Sequence, residues 1–189
     1  EQEFSDEEIL QLEKVHQALA IIQFKLENQL IKRRPEFQMQ DHVMLDKIDY
    51  WEESVTIDDT KHALVNTCFQ TIDPENPSAL TPEENQAVDS MLASFQSSLK
   101  MAEHMSLLMN KGSMYKIYNQ HLLFHGCIPL EPSGEFQPFI LNQAHYAGKE
   151  LLDFFEYHIR QAAKDKEVGD DLSTDLIWYC WKGKLSPLF

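Results

Sequence analysis

The chain has 189 residues, and its 16 lysines and arginines against 31 aspartates and glutamates give a formal net charge of −15. A surface this acidic repels nucleic-acid phosphates and anionic membranes, so we expect no nucleic acid and no membrane among its partners. The hydrophobic fraction of 43% is ordinary for a globular protein, and the apolar runs are too short to cross a bilayer. Three widely separated cysteines without metal-type pairing are typical of a reduced, cytoplasmic chain.

Two long helices are predicted by capping motifs and by the spacing of the apolar residues that follow them. Ser5-Asp6-Glu7-Glu8 and Thr81-Pro82-Glu83-Glu84 each place a hydroxyl three residues before a carboxylate, which is a capping box. Apolar residues then recur at steps of three and four, which predicts helices over about residues 6–33 and 82–111. The first apolar stripe is Ile9, Leu12, Val15, Leu19, Ile22, Leu26 and Leu30, and the second is Val88, Met91, Leu92, Phe95, Leu99, Ala102, Met105 and Leu108. We expect both stripes to pack against a core.

The rest of the chain mixes short strand patterns with helices. A period of two over residues 43–65 predicts a small antiparallel meander with acidic turns. Further along, the pattern predicts a hairpin over 114–124 around Asn119-Gln120, a strand over 136–141, and helices at about 151–159 and 172–181. This order favours an α+β fold, with long helices, a small meander and a central hairpin, over a doubly wound α/β sheet.

Among the eight histidines, His125 alone lies in an informative context. It follows the apolar run Leu122-Leu123-Phe124 and precedes Gly126-Cys127-Ile128-Pro129. The pattern predicts a buried strand that ends in an imidazole, where the glycine permits close backbone approach and the proline turns the chain away. A rigid strand end beside a loop is a frequent position for a metal ligand. On spacing alone, a histidine that only caps a strand explains the motif equally well.

The segment Phe124–Pro129 resembles the strand-end histidine motif of the calcineurin-like phosphoesterases. The chain as a whole resembles the class III fructose-1,6-bisphosphatases of Firmicutes and Bacteroidetes-type bacteria. The other matching segments are Val15–Glu27, Ile31–Pro35, Lys47–Tyr50, Asn66–Phe69, Lys111–Ser113, Tyr146–Asp153, Asp175–Tyr179 and Ser186–Phe189. The family's D-x-H, G-D-x-x-D-R-G and G-N-H metal motifs do not occur in this sequence. The resemblance therefore implies an internal segment of a longer enzyme.

This resemblance also implies a reaction and a metal site. The enzyme would hydrolyse the 1-phosphate of fructose 1,6-bisphosphate to give fructose 6-phosphate and phosphate, a step of gluconeogenesis. His125 would be one ligand of a dinuclear Mn²⁺ or Mg²⁺ centre that residues outside this chain complete. Residues 1–112 would form a cap-like insert of helices and meander, and residues 113–189 would be part of a metallophosphatase α/β sandwich. The expected partners are the substrate and the remaining segments of the same enzyme, and Cys127 is expected to be packed and inert.

The one dense cationic cluster of the chain is Lys32-Arg33-Arg34. Because a bisphosphate substrate needs cations for its distal phosphate, Arg33 and Arg34 are candidate substrate-binding residues. On helix-dipole grounds, a solvent-facing helix end is the preferred interpretation of this cluster.

Two other functional classes stay open at this point. One is a non-catalytic α+β interaction module, and the other is a piece of a protein-phosphatase-like metallophosphoesterase that shares only the His125 motif. We also expect self-association, because the apolar strand Leu122–Phe124 would present an unpaired edge. The aromatic residues near the end of the chain would add to this tendency; they are Trp178, Tyr179, Trp181 and Phe189.

Overall fold

The computed structural model describes residues 5–65, 67–164 and 171–188. The helices of this part are α1 (Asp6–Arg33), α2 (Pro82–Ser97), α3 (Leu99–Lys111), α4 (Lys149–Ala162) and α5 (Leu172–Lys182). The strands are β1 (Ile48–Asp49), β2 (Ser54–Ile57), β3 (Thr60–Ala63), β4 (Tyr115–Tyr118), β5 (His121–Phe124), β6 (Phe139–Leu141) and β7 (Ala144–Tyr146). They form three small antiparallel sheets, β1-β2-β3, β4-β5 and β6-β7, which confirms the α+β class. No helix in the described ranges is both long and apolar enough to span a bilayer.

The chain divides into two compact units. The first consists of Glu1–Pro35 and Met39–Ala93, and the second of Glu36–Gln38 and Ser94–Phe189. Each unit has its own buried residues.

Helix α1 begins and ends as its sequence predicts. The Ser5 hydroxyl accepts the Glu8 N–H, and the Glu8 carboxylate accepts the Ser5 N–H at 2.8 Å, so the capping box is complete. Basic residues occupy the last turn, where the helix dipole favours them, and Pro35 follows the C-cap residue Arg34. The predicted span of 6–33 is confirmed.

The expectation that the apolar stripe of α1 packs against a core is wrong over most of the helix. Stripe residues from Ile9 to Leu19 are each more than 40% exposed, and burial begins at Ile22. From Ile22 onward the buried residues include the stripe residues Ile22 and Leu30 and also Lys25 and Asn28, which are both essentially inaccessible. Lys25 lies about 60° around the helix from Ile22, so burial at this end of α1 extends beyond the apolar stripe.

The remainder of the first unit contains the predicted meander. Strands β1, β2 and β3 pair antiparallel, with Val55 opposite Ile48 on one side and His62 on the other. The acidic turns hold positive φ angles at Glu53, Asp58 and Asp59, as tight turns between neighbouring strands require. The meander prediction is confirmed.

The single helix predicted over 82–111 is two helices. Ser98 interrupts it with an extended backbone, φ −74° and ψ 106°, and its hydroxyl accepts the N–H of Met101 at 3.3 Å. Ser98 therefore ends α2 and caps α3, because its hydroxyl accepts the Met101 N–H in place of a backbone carbonyl oxygen. The second stripe is also not packed as expected, since Phe95 is 62% and Leu99 is 82% exposed.

The second unit contains two hairpins with the same turn. The β4-β5 hairpin confirms the prediction, and its turn residues Asn119 and Gln120 both have positive φ, as a type I′ turn requires. The strand predicted over 136–141 is only Phe139–Leu141, and it pairs with β7 through Asn142-Gln143, again with positive φ. That second hairpin was missed, although the Asn-Gln pair signals it.

An aromatic core holds the second unit together. Helices α4 and α5 were predicted and pack on each other, burying Leu151, Leu152 and Phe155 on the first and Leu176 and Tyr179 on the second. The Tyr179 ring lies 5.0–5.9 Å from the rings of Phe37, Phe139 and Phe155, measured between centroids. The expected aromatic cluster is thus partly core: Tyr179 is buried, Trp181 is exposed, and Phe189 lies outside the described residues.

Candidate functional site at the end of strand β5

His125 directly follows β5 and is exposed. The hairpin pairs Phe124 with Tyr115, so the last hydrogen-bonded position lies immediately before the histidine. All four residues of β5 are exposed, so within the described part of the chain this apolar strand presents the uncovered edge that was expected of it. Within that same part, no side chain or backbone group forms a hydrogen bond with the His125 ring.

The backbone after His125 lies against the end of the chain. The Cys127 N–H donates to the Pro187 carbonyl oxygen at 3.2 Å, and the Cys127 Sγ lies 3.7 Å from the Ser186 carbonyl oxygen. We call this pairing of Gly126-Cys127 with Ser186–Leu188 the C-terminal clasp. It fixes the two peptide units that follow the candidate ligand.

The expectation that Cys127 is packed is wrong, because its thiol belongs to an exposed residue beside an uncovered hairpin. The buried cysteine is Cys180 in α5. Burial disfavours its thiolate and raises the pKa of Cys180 to about 12. Cys180 is therefore the inert thiol, whereas Cys127 is accessible, as is Cys68.

A metal centre requires more donors than these residues supply. Structural and catalytic sites use three or four protein ligands, or several carboxylates in a dinuclear centre. Among residues 5–65, 67–164 and 171–188, no group of three or more histidine, cysteine or acidic side chains is placed to hold a metal ion. The described residues therefore do not fit a complete metal centre by themselves, and His125 can supply only one ligand of one.

The candidate substrate-binding arginines lie at the end of α1. Arg33 is the last helical residue, and the Arg34 N–H donates to the carbonyl oxygens of Leu30 and Ile31 at 3.0 and 3.2 Å. Both arginines are half-buried in the first unit, whereas His125 belongs to the second. Their backbone geometry is that of a helix end, whereas their half-buried side chains are less exposed to solvent than the preferred interpretation predicts.

Sequence reasoning missed a buried ion pair in the first unit. The Lys25 Nζ donates to the Glu84 carboxylate at 2.7 Å and to the Thr71 carbonyl oxygen at 2.6 Å, with both charged side chains at most 9% exposed. Glu84 also accepts the Thr81 N–H. Burial raises the pKa of Glu84, but hydrogen bonds from Lys25, Thr81 and Thr71 outweigh burial and lower it overall. The capping box identified Glu84 as a cap, but no local signal pointed to Lys25.

A network of hydrogen bonds between charged and polar groups connects α3 to α4 in the second unit. The Arg160 guanidinium donates to Glu156 and to the Gly112 carbonyl oxygen, each at 2.8 Å, which ties the end of α3 to α4. Glu156 also accepts the Ser113 hydroxyl and the Met114 N–H. An open cleft of about 450 Å³ borders these residues, but their polar groups bond to one another. The arrangement is therefore a structural hydrogen-bond network between α3 and α4.

Comparison with known proteins assigns the chain to a family. A sequence model of the Firmicute fructose-1,6-bisphosphatases matches residues 1–189. The chain is 97% identical over all 189 residues to the class 3 fructose-1,6-bisphosphatase of Streptococcus sanguinis, and it covers 30% of that protein. It is 82% identical to the Streptococcus gordonii enzyme, again over its full length and 30% of the relative. It is 50% identical over 179 residues, or 95% of this chain and 27% of the relative, to the Staphylococcus aureus enzyme.

No solved structure matches the chain. The match over all 189 residues places the chain in the fructose-bisphosphatase class of protein families. It belongs to the Firmicute fructose-1,6-bisphosphatase family, as its motifs predict, and it spans about 30% of the length of the curated relatives it matches.

Proposed function

We propose that this chain is a segment of a longer, metal-dependent fructose-1,6-bisphosphatase. The enzyme would remove the 1-phosphate of fructose 1,6-bisphosphate, release fructose 6-phosphate and phosphate, and act in gluconeogenesis in the cytoplasm. The observation that carries this proposal is the family match over all 189 residues. The described residues offer one candidate ligand, which agrees with a centre completed by the rest of such an enzyme.

We assign His125 as one ligand of a dinuclear centre that holds Mn²⁺ or Mg²⁺. Its exposed position after a hydrogen-bonded strand supports this role, because a ligand must reach donors from other segments. These ions suit a site in which carboxylate and water oxygens accompany imidazole. His125 would bind as the neutral imidazole, which is the form of histidine that ligates metal ions.

We further propose that residues 1–112 are a cap-like insert and that residues 113–189 belong to the catalytic domain. His125 and the C-terminal clasp both lie in the second range, which supports the assignment. Arg33 and Arg34 remain candidates for the distal phosphate. If they bind it, replacing both by alanine in the full-length enzyme raises KM at least tenfold with little change in kcat. If they only end the helix, KM stays unchanged.

The histidine assignment is tested in the full-length enzyme with a matched pair of variants. His125→Ala should abolish most Mn²⁺-dependent phosphate release from fructose 1,6-bisphosphate, because the centre loses a ligand. His121→Ala is the control: His121 is an exposed histidine in the strand that precedes His125, four residues earlier, and its removal should leave turnover unchanged. Equal activity of the two variants would contradict the assignment. The isolated 189-residue chain should show no turnover with Mn²⁺.

The incomplete set of ligands also favours a second candidate, a non-catalytic interaction module. Intact-mass measurement of the protein in its source organism separates the two. A native product near 22.0 kDa supports the module, and a product about three times larger supports the enzyme segment. The third candidate is that the chain is a piece of a protein-phosphatase-like enzyme. Release of phosphate from phosphopeptides but not from fructose 1,6-bisphosphate would favour it.

We propose that the isolated chain self-associates through the uncovered edge of β5. Leu122 and Leu123 are about half exposed there, and an unpaired apolar edge is prone to pair with another strand. The charge of −15 opposes association, so light scattering should show more association at high salt, where the Debye length falls below about 8 Å. Leu122→Lys should reduce it, whereas Leu107→Lys, on exposed α3, should not. A monomer at every salt concentration would contradict the proposal.

A further inference from the structure

The first half of α1 is an amphipathic helix whose apolar face is uncovered. In the described part of the chain, every residue from Ser5 to Ala20 is exposed. Four apolar residues of this half are each 41–45% exposed, and we call them the outer stripe: Ile9, Leu12, Val15 and Leu19. A helix of about 15 residues is marginally stable in water when nothing packs on it. A partner that covers the outer stripe would therefore stabilise this half of α1.

The outer stripe faces away from the rest of the first unit. Lys14, Ala18 and Ile21 border a cleft of about 430 Å³, together with Cys68 and Thr71 of the loop between β3 and α2. At about 100° per residue, this side of α1 lies about 150° around the helix from the outer stripe. The loop therefore approaches the opposite side of the helix and leaves the stripe open.

The charges of α1 argue against a second copy of the same helix as the partner. Its first turn carries Asp6, Glu7 and Glu8. In a parallel pair these carboxylates would lie beside their own copies, and like charges at short range repel. In an antiparallel pair centred on the outer stripe they would lie opposite residues 20–22, none of which is charged. The acidic turn therefore favours a different partner, one that brings a lysine or arginine to it.

A longer enzyme has ample chain to supply that partner. The described chain spans about 30% of the length of its curated relatives, so most of such a protein lies outside it. A stripe that repeats every three to four residues is covered best by another helix, whose own side-chain ridges pack into the spaces between the stripe residues.

We propose that the outer stripe of α1 is a docking surface for an amphipathic helix from another segment of the same polypeptide. The partner helix has an apolar face and places a lysine or arginine beside the acidic first turn. The inference rests on the proposed function, because it requires the chain to be a segment of a longer enzyme. Docking would turn Leu12 and Leu19 from exposed residues into core residues.

The test compares two leucines of the same helix in the full-length enzyme. Leu12 belongs to the outer stripe, whereas Leu10 is 51% exposed and lies about 160° around the helix from it. Leu12→Ala should speed amide hydrogen exchange of residues 9–19 at least about 30-fold, because a packed leucine is truncated. Leu10→Ala should change it less than about threefold. Equal exchange rates in the two variants would overturn the proposal.

Photo-crosslinking identifies the occupant and does not depend on the stability of the alanine variants. Leu12 is replaced by the photoreactive residue benzoylphenylalanine in the full-length enzyme, which is irradiated and digested for mass spectrometry. The expected product has the mass of one polypeptide and joins α1 to a peptide from outside the 189 residues. A product of twice that mass would show a second copy, and a crosslink confined to the 189 residues, or none, would show an uncovered stripe. Each of these three results would overturn the proposal.

Phosphate release from fructose 1,6-bisphosphate by the same full-length protein keeps the two proposals apart. Normal turnover without the expected crosslink would overturn the docking surface and leave the proposed function standing. The expected crosslink in a protein that does not hydrolyse fructose 1,6-bisphosphate would refute the proposed function and leave the docking surface in place.

Discussion

Replacing Lys25 by methionine removes one charge of the buried ion pair while it keeps an unbranched side chain of similar length. The variant loses the bond to the Glu84 carboxylate at 2.7 Å and the bond to the Thr71 carbonyl oxygen at 2.6 Å. Glu84 is then left 9% exposed, and the Thr81 N–H still donates to it at 2.8 Å. The expected result is a large loss of stability, because an ionised carboxylate stays in the interior without its cation.

The size of the stability loss depends on which hydrogen bonds the remaining partner retains. Removing one member of a buried pair costs about 3–5 kcal/mol. Lys25→Met should lie near the lower end, at about 3 kcal/mol, because Glu84 retains hydrogen bonds and slight exposure. Glu84→Gln should lie near the upper end, at about 5 kcal/mol, because it leaves a fully buried ammonium with only the Thr71 carbonyl and an amide as partners. Either loss is a large share of the stability of about 5–15 kcal/mol that domains have.

The loss of stability in Lys25→Met should also depend on pH. The folded-state pKa of Glu84 is lowered, since its hydrogen bonds outweigh burial, so its stabilising contribution is complete above the unfolded pKa of about 4.3. That contribution is lost as the pH falls through the folded value. The difference between the original protein and Lys25→Met should therefore shrink below about pH 4.

Urea unfolding at pH 7 and at the lowest pH where the protein folds measures both effects. Lys14→Met, at an exposed lysine of the same helix, is the control and should change stability by less than about 0.5 kcal/mol. A change that small for Lys25→Met at pH 7 would refute the reasoning. A difference that grows toward acid pH would refute the sign of the linkage.

Three further outcomes test local features of the two units. Ser98→Ala should cost about 1 kcal/mol in urea unfolding, because α3 loses its N-cap acceptor; no loss would mean that the helix break has another cause. Arg160→Met should cost about 1–3 kcal/mol, because Glu156 and the carbonyl oxygens of Met109 and Gly112 lose their donor at a partly exposed site; a neutral result would show these bonds to be dispensable. Alkylation of the native chain should modify the two exposed cysteines and spare Cys180, whose burial raises its pKa to about 12; mass spectrometry showing three fast adducts would contradict its burial.

The fold was predictable where its signals are local. The capping box at Ser5 and the turn at Asn119-Gln120 act within four residues, so a sequence pattern identifies them. The break at Ser98 was not predictable from the apolar spacing, because the stripe continues across it while one hydroxyl decides the backbone. The second hairpin carried a local signal in Asn142-Gln143, but its short strands left almost no alternation to support it.

The candidate site was predictable only to a single residue. The motif around His125 marks a strand end, and the structure places the histidine there. The contact of Cys127 with Ser186 joins residues 59 positions apart, and so does the Lys25–Glu84 pair. Neither contact leaves a trace in local spacing, because the partners are brought together only by the folding of the intervening chain. The sequence pattern thus located the candidate ligand His125 but not the contacts that the backbone after it makes with Ser186 and Pro187.

The exposed stripe of α1 shows what periodicity can and cannot determine. It identifies which face of a helix is apolar, but burial depends on which part of the helix meets the rest of the unit. In α1 that part begins at Ile22, and Lys25 is buried there beside the stripe residues. Leu19→Ser, at a stripe residue that is 41% exposed, should therefore cost less than about 1 kcal/mol in urea unfolding of this chain. A packed stripe would instead predict a loss of about 2–5 kcal/mol, as for core leucines. A loss of that size would mean that the stripe is covered and that the apolar face, more than the ion pair, holds α1 in place.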